Sequence, residues 1–104
     1  LAPVYRFWSP TSSSHFYTIS ESEKNALTQS SGAWVYEGIA FYAYPPDHQP
    51  VGALPVYRLW SGSLGRHFYT TNEVEKDRLV QDPARLWTFE GVAWHAFGEV
   101  RGTN

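Results

Sequence analysis

The sequence repeats itself. PVYRFWS at 3–9 returns as PVYRLWS at 55–61, 52 residues later. HFYT occurs at 15–18 and again at 67–70, and ESEKNAL at 21–27 is answered by EVEKDRL at 73–79. WVYEGIAFYAY at 34–44 matches WTFEGVAWHAF at 87–97 after a one-residue insertion near Pro83. Self-similarity of this kind constrains the fold before any local propensity does. It predicts a tandem duplication, with repeats 3–44 and 55–97 joined by the Pro- and Gly-rich linker PPDHQPVGAL at 45–54.

Each repeat carries the same order of local signals. Residues 4–8 alternate and are rich in β-formers, which predicts a strand. A turn-rich loop follows (SPTSSS, then SGSLGR in the second copy), and residues 15–18 form a short second strand. Ser20 with Glu23, and Asn72 with Glu75, have the spacing of a helix-starting capping box. Thr18 with Glu21 fits the same S/T-x-x-E pattern. The helices end near Gln29 and Gln81, where Pro83 stops the second. Long strands at 34–44 and 87–97 close each unit, each with an internal Glu-Gly that suggests a bulge. One unit of about 45 residues cannot bury a sufficient core alone. The expectation is an α+β fold over 1–104: a single domain of two β-β-α-β units packed about a pseudo-twofold, with small antiparallel sheets and two short helices.

Composition narrows the function. The 104-residue chain has a net charge of −2 and no run of Lys or Arg, which argues against nucleic acid as a partner. No apolar run reaches membrane-spanning length. The absence of Cys removes disulfides, thiolate chemistry and cysteine-type zinc sites. The chain starts at Leu1, and the expectation is a mature, processed product. Aromatics make up 17% of the residues, with five Trp and seven Tyr. These suit a dense core or a surface that stacks flat ligands and the apolar faces of sugars.

The string VYRxW…HFYT…ExEKxxL…WxYEGxAFYA resembles an uncharacterised repeat family of secreted bacterial and fungal proteins. The resemblance covers both halves. It implies an extracellular binding role, lectin-like or adhesion-associated, because such repeats sit beside extracellular hydrolases and adhesion modules. This chain has two repeats where related arrays are longer, and Ala33 and Leu86 where Gly often precedes the Trp.

The polar residues kept in both copies are the candidate site. Leu27/Leu79, Ile39/Val92 and Phe41/Trp94 are apolar in both and are assigned to the core. Period-2 alternation places Glu37 on the face of Ile39 and Phe41, and Glu90 on that of Val92 and Trp94. A carboxylate there needs a partner, and Arg6/Arg58 and His15/His67 are available. The result is either a structural brace or a ligand-contacting carboxylate at a pocket rim. His15 and Tyr17 share a strand face, as do His67 and Tyr69. Trp8, Trp60, Trp34 and Trp87 lie at strand ends next to loops, where binding residues concentrate. Glu23 and Lys24 read as a solvated helix face. A single repeated His per half leaves a metal or other cofactor unsupported.

Three function classes follow. A secreted carbohydrate-binding module would use two equivalent sites, Arg6, Trp8, His15, Tyr17, Trp34 and Glu37 in one repeat and Arg58, Trp60, His67, Tyr69, Trp87 and Glu90 in the other, with glycans as partners. Two weak sites would gain avidity on a glycan surface, and a homodimer would extend it. A protein-interaction or structural adhesion module would use the same residues to hold the fold. A small hydrolase using His–Glu or paired carboxylates is disfavoured, since no nucleophile-elbow or phosphate-loop motif is present. The chain is therefore read as a non-enzyme.

Overall fold

The structure, a computed structural model, describes residues 1–29, 32–98 and 101–102. It has two helices and two small antiparallel sheets. The first half contributes β1 (Ala2–Ser9), β2 (Ser14–Thr18), α1 (Glu21–Gln29) and β3 (Val35–Ala43). The second half contributes β4 (Leu54–Ser61), β5 (Arg66–Thr70), α2 (Glu73–Gln81) and β6 (Thr88–Ala96). A two-residue strand, β7 (Arg101–Gly102), lies beyond the second half and has no sequence-level signal. The sheets run β2-β1-β3 and β6-β4-β5-β7, so β1 and β4 are central.

Strand pairing is the same in both halves. Arg6 faces Tyr17 and Trp8 faces His15; Arg58 faces Tyr69 and Trp60 faces His67. Directly opposed residues share a sheet face, so Arg6, Trp8, His15 and Tyr17 form one patch and their counterparts form another. On the first sheet's opposite face, Tyr5, Phe7 and Phe16 pack with Leu27 of α1 and Trp34. A second core of Val4, Ala43, Val56, Tyr69 and Trp94 is shared between the halves.

The long strands correct the simple alternation. Arg6 pairs with Gly38 and Phe7 with Tyr36, which leaves Glu37 as the extra residue of a β-bulge; Glu90 occupies the same place between Gly91 and Phe89. Gly38 and Gly91 have φ of 98° and 107°, a conformation glycine adopts without steric cost. The bulge turns Glu37 onto the Arg6 face. A second register shift pairs Ile39 with Tyr5 on the other face and Phe41 with Val4 on the Arg6 face. Glu37 therefore does not share a face with Ile39.

Helix starts use the predicted caps through an added relay. Ser20 Oγ accepts from Glu23 N–H (3.1 Å) and Asn72 Oδ1 from Glu75 N–H (3.0 Å). Among the described residues the glutamates do not reach back to the cap backbone. Instead Thr18 Oγ1 accepts from Ser20 N–H (3.0 Å) and donates to Glu23, as Thr70 does between Asn72 and Glu75.

The contacts between halves are not reciprocal, which departs from a pseudo-twofold. An isologous joint contains each pair twice. Here Arg58 meets Glu23 and Phe16, while among the described residues Arg6 makes no such contact with Glu75 or Phe68. The core assignments change accordingly. Trp94 is 2% exposed but its counterpart Phe41 is 41% exposed; Leu27, Leu79 and Val92 are half-buried, and Ile39 is exposed.

Candidate functional site

The richest polar cluster is built from both halves. Arg58 projects from the centre of β4, where its neighbours Val56 and Leu59 are fully buried. Its Nε donates to Glu90 Oε1 on the β6 bulge (2.9 Å), and its Nη2 donates to Glu23 Oε2 on α1 (3.3 Å). The guanidinium also lies over the Phe16 ring, 4.9 Å from its centroid. His67 Nε2 stands 3.2 Å from the same Glu90 oxygen, and its ring packs 4.6 Å from Phe16 and 4.7 Å from Trp60.

Charge states follow from this packing. Burial pushes the His67 pKa down to about 4, with the Arg58 charge adding to the effect and Glu23 opposing it. Its Nδ1 is buried without a hydrogen-bond partner, which a neutral ring tolerates as a bare lone pair. We therefore assign the proton to Nε2, facing Glu90. Burial alone would raise the Glu23 carboxyl, but the Thr18 hydroxyl and Arg58 outweigh it and hold the group below its ordinary value. Burial likewise works against the Arg58 charge; Glu23 overcomes it and raises the guanidinium pKa. At neutral pH Arg58 and Glu23 therefore stand as an ion pair beside a neutral His67 imidazole.

Beside this network lies a cleft of about 230 Å³, lined by Phe16, Glu23, Leu27, Trp34, Arg58, His67 and Glu90 among others. One wall is aromatic and aliphatic and comes from the first half. The other is polar and comes mainly from the second. A second cleft of about 350 Å³, also lined by Arg58, Glu23 and Glu90, runs along Thr18, Ile19, Pro45 and Gly91.

The predicted residues do not form two equal sites. Arg58, His67 and Glu90 meet in the cleft, and Trp34 joins them from the other half. Trp60 backs His67. Tyr69 is engaged in the joint between halves: its hydroxyl accepts from Tyr17 N–H (2.9 Å) and donates to Tyr17 C=O (3.2 Å). Burial pushes its phenol well above the usual range. Trp87 packs on Phe68, away from this cluster. In the first half, Arg6 Nε and His15 Nε2 both approach Glu37 Oε1, at 3.0 and 3.1 Å, and Trp8 packs at a tilt against His15. This set is open: the Arg6 side chain is 42% exposed against 15% for Arg58. The Arg6–Glu37 contact is an ion pair off the line of a directed hydrogen bond, whereas Arg58–Glu90 is a true one.

One participant was misread from sequence: Glu23 is the bridge to Arg58 as well as part of the helix surface. Phe16 lies in the core and also walls the cleft. The exact repetition of Glu23 as Glu75, beside a repeated Thr, was the available signal. Among the described residues no group of three His, Asp or Glu is placed to hold a metal ion, and no helix is long and apolar enough to cross a membrane.

No curated protein and no solved structure matches the chain. A family model described as a domain of unknown function, DUF5648, matches residues 1–97. With nearly the whole chain matched, the protein belongs to the DUF5648 family.

Proposed function

We propose that this protein is an extracellular carbohydrate-binding module, lectin-like, made of two copies of one β-β-α-β unit, with its binding site in the cleft between them. The observation that carries the reading is the make-up of that cleft. Phe16, Leu27 and Trp34 supply an apolar lining, and Arg58, Glu90, Glu23 and His67 supply planar polar groups in the same cleft. Small-ligand sites commonly combine an apolar lining with a few fixed polar groups. The polar groups here are pre-ordered by one another, so little rotamer freedom is lost on binding.

The test is a glycan array followed by titration calorimetry on the best hit. Saturable binding that Trp34→Ala weakens, at a temperature where circular dichroism shows the variant still folded, supports the reading. A blank array removes it.

A second reading has one observation in its favour. His67 and Tyr69 are buried, and Tyr69 ties the two halves together. On that reading the polar network is structural and the protein is an adhesion or interaction module. A blank array with strong destabilisation by Arg58→Ala favours it.

A further inference from the structure

The joint between the halves has two sides: a receiving face (Arg58, His67, Glu90) and an inserted edge (Phe16 and Glu23). Each half carries both, yet among the described residues only one such joint is made. This leaves one receiving face open in the first half, Arg6, His15 and Glu37, and in the second half one edge, Phe68 and Glu75, that no other half covers and that holds Arg101 instead.

The structure shows what the free edge accepts. Arg101 lies over the Phe68 ring at 5.7 Å, and its Nε donates to Glu75 Oε2 at 2.7 Å. These are the two contacts that Arg58 makes with Phe16 and Glu23. The backbone is matched as well. Where the Tyr69 hydroxyl satisfies the β2 edge at Tyr17, Gly102 of β7 pairs with the β5 edge at Tyr69. Arg101 and Gly102 thus stand in for an Arg and a Tyr of a neighbouring unit. The free face has those residues in the right register, Arg6 opposite Tyr17. It also carries uncovered apolar surface in Phe41, which the joint covers at the equivalent Trp94.

We infer that the chain associates head to tail with a second copy of itself, the Phe68–Glu75 edge of one copy displacing its own Arg101 and seating on the Arg6–His15–Glu37 face of the other. The charges are complementary, Arg6 against Glu75, and the contact is one the chain already makes internally. Such an interface is heterologous, so it closes into a ring or continues. It would also create a further cleft with Trp87 and Phe68 facing Arg6 and Glu37; that consequence alone rests on the carbohydrate reading.

Sedimentation of the full chain without sugar tests the association. Wild type should show a concentration-dependent mass above the monomer. Arg101→Ala should strengthen it several-fold by freeing the edge. Arg6→Glu should return the protein to monomer with an unchanged circular dichroism spectrum, and adding Glu75→Arg should restore the association. A wild type and an Arg101→Ala variant that both stay monomeric at the highest soluble concentration overturn the inference. So does association that Arg6→Glu leaves intact. A blank glycan array leaves each of these outcomes readable.

Discussion

Arg58 on β4 and Glu23 on α1 form an ion pair across the boundary between the two halves, with Nη2 and Oε2 3.3 Å apart. The positions equivalent to them, Arg6 and Glu75, are not paired with each other. Arg6 turns to Glu37 and Glu75 to Arg101. One sequence pattern has thus been placed in two environments, one covered and one open.

The first expected consequence is an unequal cost of removing the two arginines. Arg58→Ala removes a mostly covered guanidinium, leaving Glu90 with His67 alone and Glu23 with Thr18 alone, and should cost about 2 kcal/mol. Arg6→Ala removes an exposed pair and should cost under about 1 kcal/mol. Urea denaturation of the two variants gives the comparison, and equal costs would show that the joint does not depend on Arg58.

Tyr69→Phe should also destabilise. Its hydroxyl serves both the N–H and the C=O of Tyr17 at the exposed side of β2. Losing it leaves two partly buried backbone groups unpaired, at about 1–3 kcal/mol. Tyr17→Phe should be close to neutral. Hydrogen exchange at the Tyr17 amide is the direct readout, faster in Tyr69→Phe and unchanged in the converse variant.

The elements were legible because their signals are local. Both capping positions and both hairpins come from short-range patterns, and Gly38 and Gly91 marked their bulges. The site was less legible because it is assembled across the joint. Nothing within the first unit says that Glu23 will face Arg58, or that Trp34 will line a cleft with His67. Alternation failed at Glu37 and Glu90 because a bulge inserts a residue that the period cannot count. β7 was silent because two residues carry no period. Similar halves suggested similar sites, but the joint between them is one-sided, so Arg58 is covered where Arg6 is open.

Sugar binding, if it occurs in the cleft, should discriminate between equivalent tryptophans. Trp34→Ala removes the apolar wall beside Arg58 and should weaken binding by tenfold or more, given about 1.5 kcal/mol or more for a buried stacking contact. Trp87→Ala should leave that site's affinity unchanged, because Trp87 packs on Phe68 instead. Calorimetry on both variants separates the composite cleft from a model of one site per unit, in which the two would share the loss.

The bulges should be intolerant of a side chain for backbone reasons alone. A Cβ on Gly91 meets nothing within 4 Å, but φ of 107° is a conformation other residues adopt at a cost of about 1–3 kcal/mol. Gly91→Ala should therefore destabilise by that amount and shift Glu90 away from Arg58 and His67. Gly38→Ala should pay the same backbone cost. A melting temperature unchanged in both would mean that the bulge carries no strain barrier.

Stability should fall as the solution is made acid, with His67 as the main proton acceptor on the mild side. Its pKa is about 4 in the fold, lowered by burial and then by Arg58, against an ordinary value of 6.5. The unfolded chain binds the proton more tightly, so the stabilisation is complete above pH 6.5 and is lost as pH falls from there towards 4. The full loss is on the order of 3 kcal/mol. Glu23, held below its ordinary carboxyl value, acts in the same direction at lower pH: its contribution is present above about 4.5 and disappears as the carboxylate is protonated. Chemical denaturation at steps between pH 7 and pH 4.5 should show stability rising with pH. His67→Gln keeps a hydrogen-bond donor for Glu90 but does not titrate, so its slope over this window should be shallower than wild type. Parallel slopes would place the proton uptake on another group and would count against a buried neutral imidazole at the joint.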